Sequence, residues 1–406
     1  MSEWREFKIK DIALNMADAP FGSNLKTEDY TENGAIVLQG KNIQGRKCVW
    51  NDARFVSQEK YSSLSRHHAK LGCLVFPKVG TIGKVGILTP FEGITEYLLS
   101  TNSMMLEPNP KIANQEFIYY FFSSAEVNNH INSISSNSVQ PVFNFTSLKN
   151  YTVNLPPLPE QKAIANVLSS LDDKIDLLHR QNKTLEAMAE MLFKHWFVEE
   201  ASEDWEEIKI THLFEIRDGT HDSPKQATIG KPLITSKHIL DGCLDIENAY
   251  LISESDFDKV NQRSKVDSGD ILFSMIGTIG LLYLEQSVEI DYAIKNIGLF
   301  KTSQNSEWVF YTYLWLKSSI GQQFIDEHKS GSTQEYVSLG SLRNIAFQKP
   351  PSEKLIQFNK LVSNNFSKLY FNKKQIKTLE KLRDNLLPKL MSGEVRMKLT
   401  ELDHVK

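Results

Sequence analysis

From Ile164 to Trp196, apolar residues return at alternating intervals of four and three. The series is Ile164, Leu168, Leu171, Ile175, Leu178, Asn182, Leu185, Ala189, Leu192 and Trp196. This is a heptad seam with one polar member, and it predicts a helix from about Glu160 to Val198, roughly 55 Å long at 1.5 Å per residue. A second, less regular seam runs through Phe358, Val362, Asn365, Leu369, Asn372, Ile376, Leu379, Arg383, Leu386 and Leu390. Each helix is announced by prolines that stop the preceding strand, at Pro156-Pro157-Leu158-Pro159 and Pro350-Pro351. A glutamate follows in each first turn, Glu160 or Glu353, where it favours a helix N-terminus. Neither apolar stripe is stable unpartnered, so the two helices are predicted to pair as an antiparallel intramolecular coiled coil. Placing Asn182 opposite Asn372 pairs Leu178 with Ile376, Leu185 with Leu369, Leu168 with Leu386, and Trp196 with Phe358. A slip of one heptad would place Asn182 opposite Asn365 instead. A buried polar pair can set such a register at a cost in stability.

Upstream of each helix the pattern changes to short β-like runs broken by Gly, Asn and Ser. Leu74-Val75-Phe76 and Ile271-Leu272-Phe273 read as buried strands entering glycine-containing turns, and Gln115–Phe122 and Trp308–Lys317 read as short helices.

These two halves are copies. Lys183-Thr184-Leu185-Glu186 recurs 194 residues on as Lys377-Thr378-Leu379-Glu380, with Ser147-Leu148, Asn150 and Pro156-Pro157 matching Ser341-Leu342, Asn344 and Pro350-Pro351 at the same spacing. Gly80-Thr81-Ile82-Gly83 recurs 197 residues on as Gly277-Thr278-Ile279-Gly280, so small insertions separate the copies. Internal repetition on this scale defines the architecture. The prediction is an α+β tandem duplication: two similar globular domains joined by two long helices in an antiparallel coiled coil, pseudo-twofold symmetric. The expected parts are 1–155 (first domain), 156–200 (first helical spacer), 201–348 (second domain) and 349–406 (second helical spacer). An antiparallel pair would set the two domains at opposite ends of a rigid ruler. Two half-sites roughly a turn of B-DNA apart suit such an object, and so do two protein partners.

Composition narrows the class. A chain of 406 residues is too long for one ordinary domain, and 41% apolar residues with mixed charge fit a soluble globular protein. No apolar run approaches the roughly 20 residues that span a bilayer. Met1-Ser2-Glu3-Trp4-Arg5 lacks a signal-peptide pattern. Cys48, Cys73 and Cys243 are isolated, which removes a disulfide framework and a CxxC knuckle and makes a reducing cytoplasm the expected location. The net charge of -4 exerts no global pull on phosphate. Locally, Lys41, Arg46, Lys47, Arg54, Lys60, Arg66, Lys70, Lys78 and Lys84 stand against only Asp52 and Glu59.

The helix ends carry a resemblance. Leu185-Glu186-Ala187-Met188-Ala189-Glu190-Met191-Leu192-Phe193-Lys194-His195-Trp196-Phe197-Val198 and Leu386-Leu387-Pro388-Lys389-Leu390-Met391-Ser392-Gly393-Glu394-Val395-Arg396 resemble the repeat-end signatures of type I restriction-modification specificity (S) subunits. The Leu155-Pro156-Pro157-Leu158-Pro159-Glu160-Gln161 junction and both Gly-Thr-Ile-Gly turns match as well, in order along the whole chain. The second junction departs from the pattern, reading Pro350-Pro351-Ser352-Glu353-Lys354. The resemblance implies two target-recognition domains, each reading half of a split double-stranded DNA site. It also implies helices that dock two adenine-N6 methyltransferase (M) subunits using S-adenosylmethionine, and two motor-nuclease (R) subunits using ATP and Mg2+. No cofactor is then expected in this chain, and no membrane partner.

Residues for chemistry within the chain are not apparent. There is no Gly-rich phosphate loop followed by Lys-Ser/Thr. Asn154-Leu155-Pro156-Pro157-Leu158 reads as a helix boundary rather than a methyltransferase motif. Glu327-His328-Lys329 and Glu207-Ile208-Lys209 read as chance Glu-x-Lys tripeptides, and His67-His68 lacks acidic or cysteine partners for a metal. Asp172-Asp173 is expected on a solvated outer helix face. The expectation is therefore a non-catalytic DNA reader with no catalytic or metal residues. Base reading needs donors and acceptors on rigid elements and cations on phosphate. The candidates are Lys41, Asn42, Arg46, Lys78, Thr81, Lys84, Gln140 and Asn144 in the first domain. In the second they are Lys237, His238, Ser274, Thr278, Gln334 and Arg343. The alternative is a coiled-coil scaffold that organises protein partners without touching DNA.

Overall fold

In the computed structural model, residues 4–135, 142–240 and 242–397 are described. The chain divides into two compact units. One comprises Met1–Asp176 with Thr378–Lys406, the other Leu177–Lys377, so each long helix contributes one half to each unit.

In the first unit, a four-stranded antiparallel sheet has the order Ala13–Ala17, Ser103–Pro108, Leu74–Pro77, Gly86–Ile87. Leu74, Val75, Phe76 and Met104 to Leu106 are all buried, because the strands are covered on both faces and so read as continuous apolar runs. A five-stranded sheet beside it is built around Ala35–Leu38, which pairs in parallel with Tyr97–Leu99. Arg5–Lys8 pairs with Thr152–Leu155, delivering the chain to the proline junction. The helix Gln115–Ser123, capped by Asn114, buries Phe117, Ile118 and Phe122 against the first sheet.

The second unit repeats this plan. Its four-stranded sheet has the order Ile216–Asp218, Ile297–Phe300, Ile271–Ser274, Leu282–Leu284. Lys231–Thr235 pairs in parallel with Ala293–Lys295, and Glu207–Lys209 pairs with Ala346–Gln348. Its counterpart helix, Val309–Lys317, follows a 3-10 turn at Ser306–Trp308.

The long helices run Leu158–Lys194, ending in a π turn at His195–Glu199, and Ser352–Met391. They pair antiparallel within each unit. In the first, Ile164 and Leu168 share a core with Leu386 and Leu390, and Asp172 accepts from Arg383 Nη1 at 3.0 Å. Glu160, buried in the first helical turn, accepts from Arg396 Nε at 2.6 Å and Nη2 at 2.8 Å. In the second, Leu178 and Ile376 are buried, and Asn372 Nδ2 donates to Asn182 Oδ1 at 2.8 Å. Asn182 therefore meets Asn372 and not Asn365. Trp196 packs at 6.2 Å from Phe358, and Leu185 and Leu192 join the core that holds Leu369. Ile175 is buried, whereas Leu171 and Leu379 are half-buried. The Asn pair is not fully satisfied: Asn372 Oδ1 is buried with no hydrogen-bond partner among the described residues, so it contributes register rather than net stability.

Asp172 corrects an expectation. It is not solvated: its carboxylate accepts from Tyr120 Oη at 2.7 Å as well as from Arg383. The heptad seam is one buried stripe of this helix, and the globular domain covers a second. Asp173 remains largely exposed but accepts from Arg46 Nη1 at 2.7 Å.

Candidate nucleic-acid interface

Each unit gathers loops at the ends of its sheets. In the first, Gly80-Thr81-Ile82-Gly83 leaves the strand Leu74–Pro77, and both glycines take positive φ (79° and 89°), a conformation that a side chain resists. The main-chain N–H of Phe143 donates to Lys78 O at 3.0 Å, tying the 142–144 loop to this turn. In the second unit Val337 N–H donates to Met275 O at 3.0 Å, and an isolated Ile276–Tyr336 bridge holds the 331–335 loop against the equivalent Gly277–Gly280 turn. The same turn and the same adjoining loop are thus built twice.

The predicted residues divide into two groups on this scaffold. Lys41, Thr81 and Lys84 in the first unit are exposed, as are Lys237, Thr278 and Gln334 in the second. Lys237, Thr278 and Gln334 line one concave surface together with Asn296. The others are engaged within the fold. Asn42 is buried, its Oδ1 accepting from Gln39 N–H and its Nδ2 donating to Val49 O, each at 2.8 Å. Arg46 is only 17% exposed and forks onto Glu116 at 2.9 and 3.0 Å. Lys78 pairs with Asp18 at 2.9 Å, and Asn144 caps the helix Phe145–Asn150. His238 is buried, with Nδ1 facing Thr235 N–H at 2.9 Å, and burial holds its pKa below the usual histidine range. Ser274 is fully buried and closes the glycine turn by donating to Thr278 O at 2.6 Å. Arg343 spends Nε and Nη2 on Ile216 O at 3.1 and 2.9 Å. Gln140 lies outside the described residues. His67 and His68 each bond a main-chain carbonyl, of Asp18 and Tyr61 respectively.

Residues not anticipated complete these surfaces. In the second unit the loop Gly219-Thr220-His221-Asp222-Ser223-Pro224-Lys225 lies against Ala293–Lys295 so closely that a Cβ on Gly219 would meet Ile294 O at 2.6 Å. His221 Nε2 lies 2.7 Å from Asp218 Oδ2 and its Nδ1 3.0 Å from Asn296 Oδ1, while Lys295 Nζ donates to Ser223 Oγ at 2.6 Å. Arg263 also pairs with Asp218. In the first unit the corresponding loop after Asp18 carries Phe21, 79% exposed. The available signal was compositional, a run of turn formers directly after the first sheet strand in each copy. Among the described residues, no group of three or more His, Cys, Asp or Glu comes together as for a metal, and no helix is long and apolar enough to cross a membrane.

Fold and surfaces define a duplicated loop-presenting module on paired helices. A model of the type I restriction modification DNA specificity domain matches residues 1–187 and again 202–386. The chain belongs to that family, and DNA specificity is its function, which decides against a scaffold without DNA contact. It is similar to the type I restriction enzyme MjaIX specificity subunit of Methanocaldococcus jannaschii, 25% identical over 97% of this chain and 94% of that one. It is likewise similar to the HindI specificity subunit of Haemophilus influenzae, 22% identical over 97% of this chain and all of that one. A crystal structure of an S subunit from M. genitalium shares the fold, with TM-score 0.62 and 18% identity over 98% of this chain and 97% of the other.

Proposed function

We propose that the chain reads a two-part double-stranded DNA site, one part per repeat, and carries no catalytic centre of its own. The observation that supports this most is the rebuilding of one loop frame in both units: Lys41 and Thr81 recur as Lys237 and Thr278, while Leu281 stands where Lys84 stands and the loop after the first sheet strand presents Phe21 in one unit and His221 and Lys225 in the other. A shared frame with divergent tips suits two half-sites of different sequence, because frame residues position and tip residues specify. Lysines supply phosphate contacts without sequence information, whereas Thr and Gln offer donors and acceptors to base edges. Chemistry belongs to partners: two DNA adenine methyltransferase subunits with S-adenosylmethionine, and two restriction motor subunits with ATP and Mg2+, assembled on the helices.

The test is a competition measurement on the chain bound to its methyltransferase partner, with labelled target duplex against random duplex at several salt concentrations. The reading expects specific binding at least about 10³-fold tighter than random. Equal affinity for both duplexes would overturn it.

A further inference from the structure

We infer, resting on the two-part reading above, that Asn296 sets the base preferred at one position of the second half-site. Its side-chain amide offers Nδ2 to an acceptor on a base edge. His221, itself held by Asp218, is the positioning residue that aims the amide.

Asn296 is the whole link between the strands Ala293–Lys295 and Ile297–Phe300, which belong to different sheets. Turning the chain within one residue takes its φ to 53°, in the left-handed region where side chains are uncommon. A turn alone would be served best by glycine. Both main-chain groups are pinned: the N–H donates to Thr220 O at 3.3 Å, and the carbonyl accepts from Ser236 Oγ at 3.0 Å. The residue is half-buried and lines the concave surface shared with Lys237, Thr278 and Gln334. A side chain on backbone held from two sides has little freedom left to lose on binding.

The amide is held as well. His221 Nδ1 lies 3.0 Å from Asn296 Oδ1, and its Nε2 lies 2.7 Å from Oδ2 of Asp218, a buried residue that also pairs with Arg263. Both facing oxygens accept, so the ring donates from both nitrogens in this arrangement. With Oδ1 committed to His221, Nδ2 keeps two hydrogens that meet no acceptor among the described residues. Such donors suit the acceptors that purine N7, guanine O6 or thymine O4 place in the major groove.

The first unit is built differently here. The strands Tyr97–Leu99 and Ser103–Pro108 are joined by Ser100-Thr101-Asn102, and Phe21 stands third after Asp18 as His221 stands third after Asp218. Asp18 takes Lys78 instead. The effect of Asn296 is therefore confined to one half of the site.

The experiment uses the full chain bound to its methyltransferase partner and duplexes carrying its methylated motif, each base pair of the second part replaced in turn. Asn296→Gly keeps the left-handed turn and removes the amide. It is expected to lose about tenfold discrimination at one position, with the other positions and the affinity for random duplex unchanged. Asn296→Asp, which keeps the shape but has no donor, loses as much. His221→Ala loses about fivefold at that same position and nothing further in the Asn296→Gly chain, whereas His221→Asn, whose amide falls where Nδ1 lies, recovers the loss. Discrimination unchanged in Asn296→Gly, lowered at every position alike, or retained in Asn296→Asp would overturn the assignment, as would additive losses in the double variant. An unaltered chain that binds target and random duplex equally would instead overturn the two-part reading itself.

Discussion

The two repeats share a fold and differ most where each globular part meets its helices. In the first unit that junction is ionic. Arg46 bridges Glu116 and Asp173, and Asp172 accepts from both Arg383 and Tyr120, whose hydroxyl is pushed far above its usual range by burial and by that carboxylate. In the second unit Lys317–Glu190 and Lys377–Glu247 also bridge domain and helices, but the residue at the Asp172 position is aromatic: Phe366 stacks on Phe310 at 4.6 Å and meets Tyr313 edge-on at 5.4 Å. Duplication has kept backbone and seam while exchanging the chemistry of the seat. A second exchange occurs at the sheet edge. Lys301, only 4% exposed, donates to Asp270 and, at 2.6 Å, to Asp267. At the corresponding positions of the first unit the charges are reversed, Lys70 donating to Glu107 at 3.0 Å, and Cys73 stands in place of Asp270.

These contrasts set the expected effects. Lys301→Met leaves the fully buried Asp270 uncompensated and should cost about 4 kcal/mol in urea unfolding, whereas Lys70→Met, removing an exposed pair, should leave the midpoint unchanged. Similar losses in both would erase the distinction. Phe366→Ala should cost about 3 kcal/mol and do so equally at low and high salt, since the loss is packing. Its positional equivalent Asp172→Ala should cost about 2 kcal/mol, shrinking in 1 M salt as the Debye length falls to about 3 Å. The smallest effect concerns His238. Burial lowers its folded pKa below the unfolded value, so below about pH 6.5 the unfolded chain binds the extra proton and stability falls with pH. Replacing it with glutamine should flatten that slope in thermal melts between pH 7 and 5. An unchanged slope would assign it to other groups.

Much of this architecture was legible in the sequence, because seams and repeats are local signals. Leu178, Asn182 and Leu185 lie on one stripe whatever they touch, and the Gly-Thr-Ile-Gly turns announce themselves through glycine. The recognition surface was less legible. Asn42, Ser274 and His238 look like surface polar residues, yet each folds back to satisfy a turn or 3-10 segment, and nothing local separates such a cap from a base reader. Arg46 and Arg343 were visible as cations, but their partners lie far off in sequence, Glu116 and Asp173 at 70 and 127 residues from Arg46 and Ile216 at 127 from Arg343. Asp172 was misplaced for the same reason: periodicity reports the seam between helices and is silent about the face the domain covers. Phe21 and the Gly219–Lys225 loop escaped notice because turn composition marks a loop without saying what it presents.

The central claim is that each repeat reads its own half of a divided site. It is tested most directly by sequencing methylated adenines in a host carrying the chain with its methyltransferase partner, beside a variant with Lys237, Thr278 and Gln334 replaced by alanine. The account predicts one two-part motif for the unaltered chain, with one part relaxed and the other retained in the variant. A contiguous motif, or simultaneous change in both parts, would contradict it.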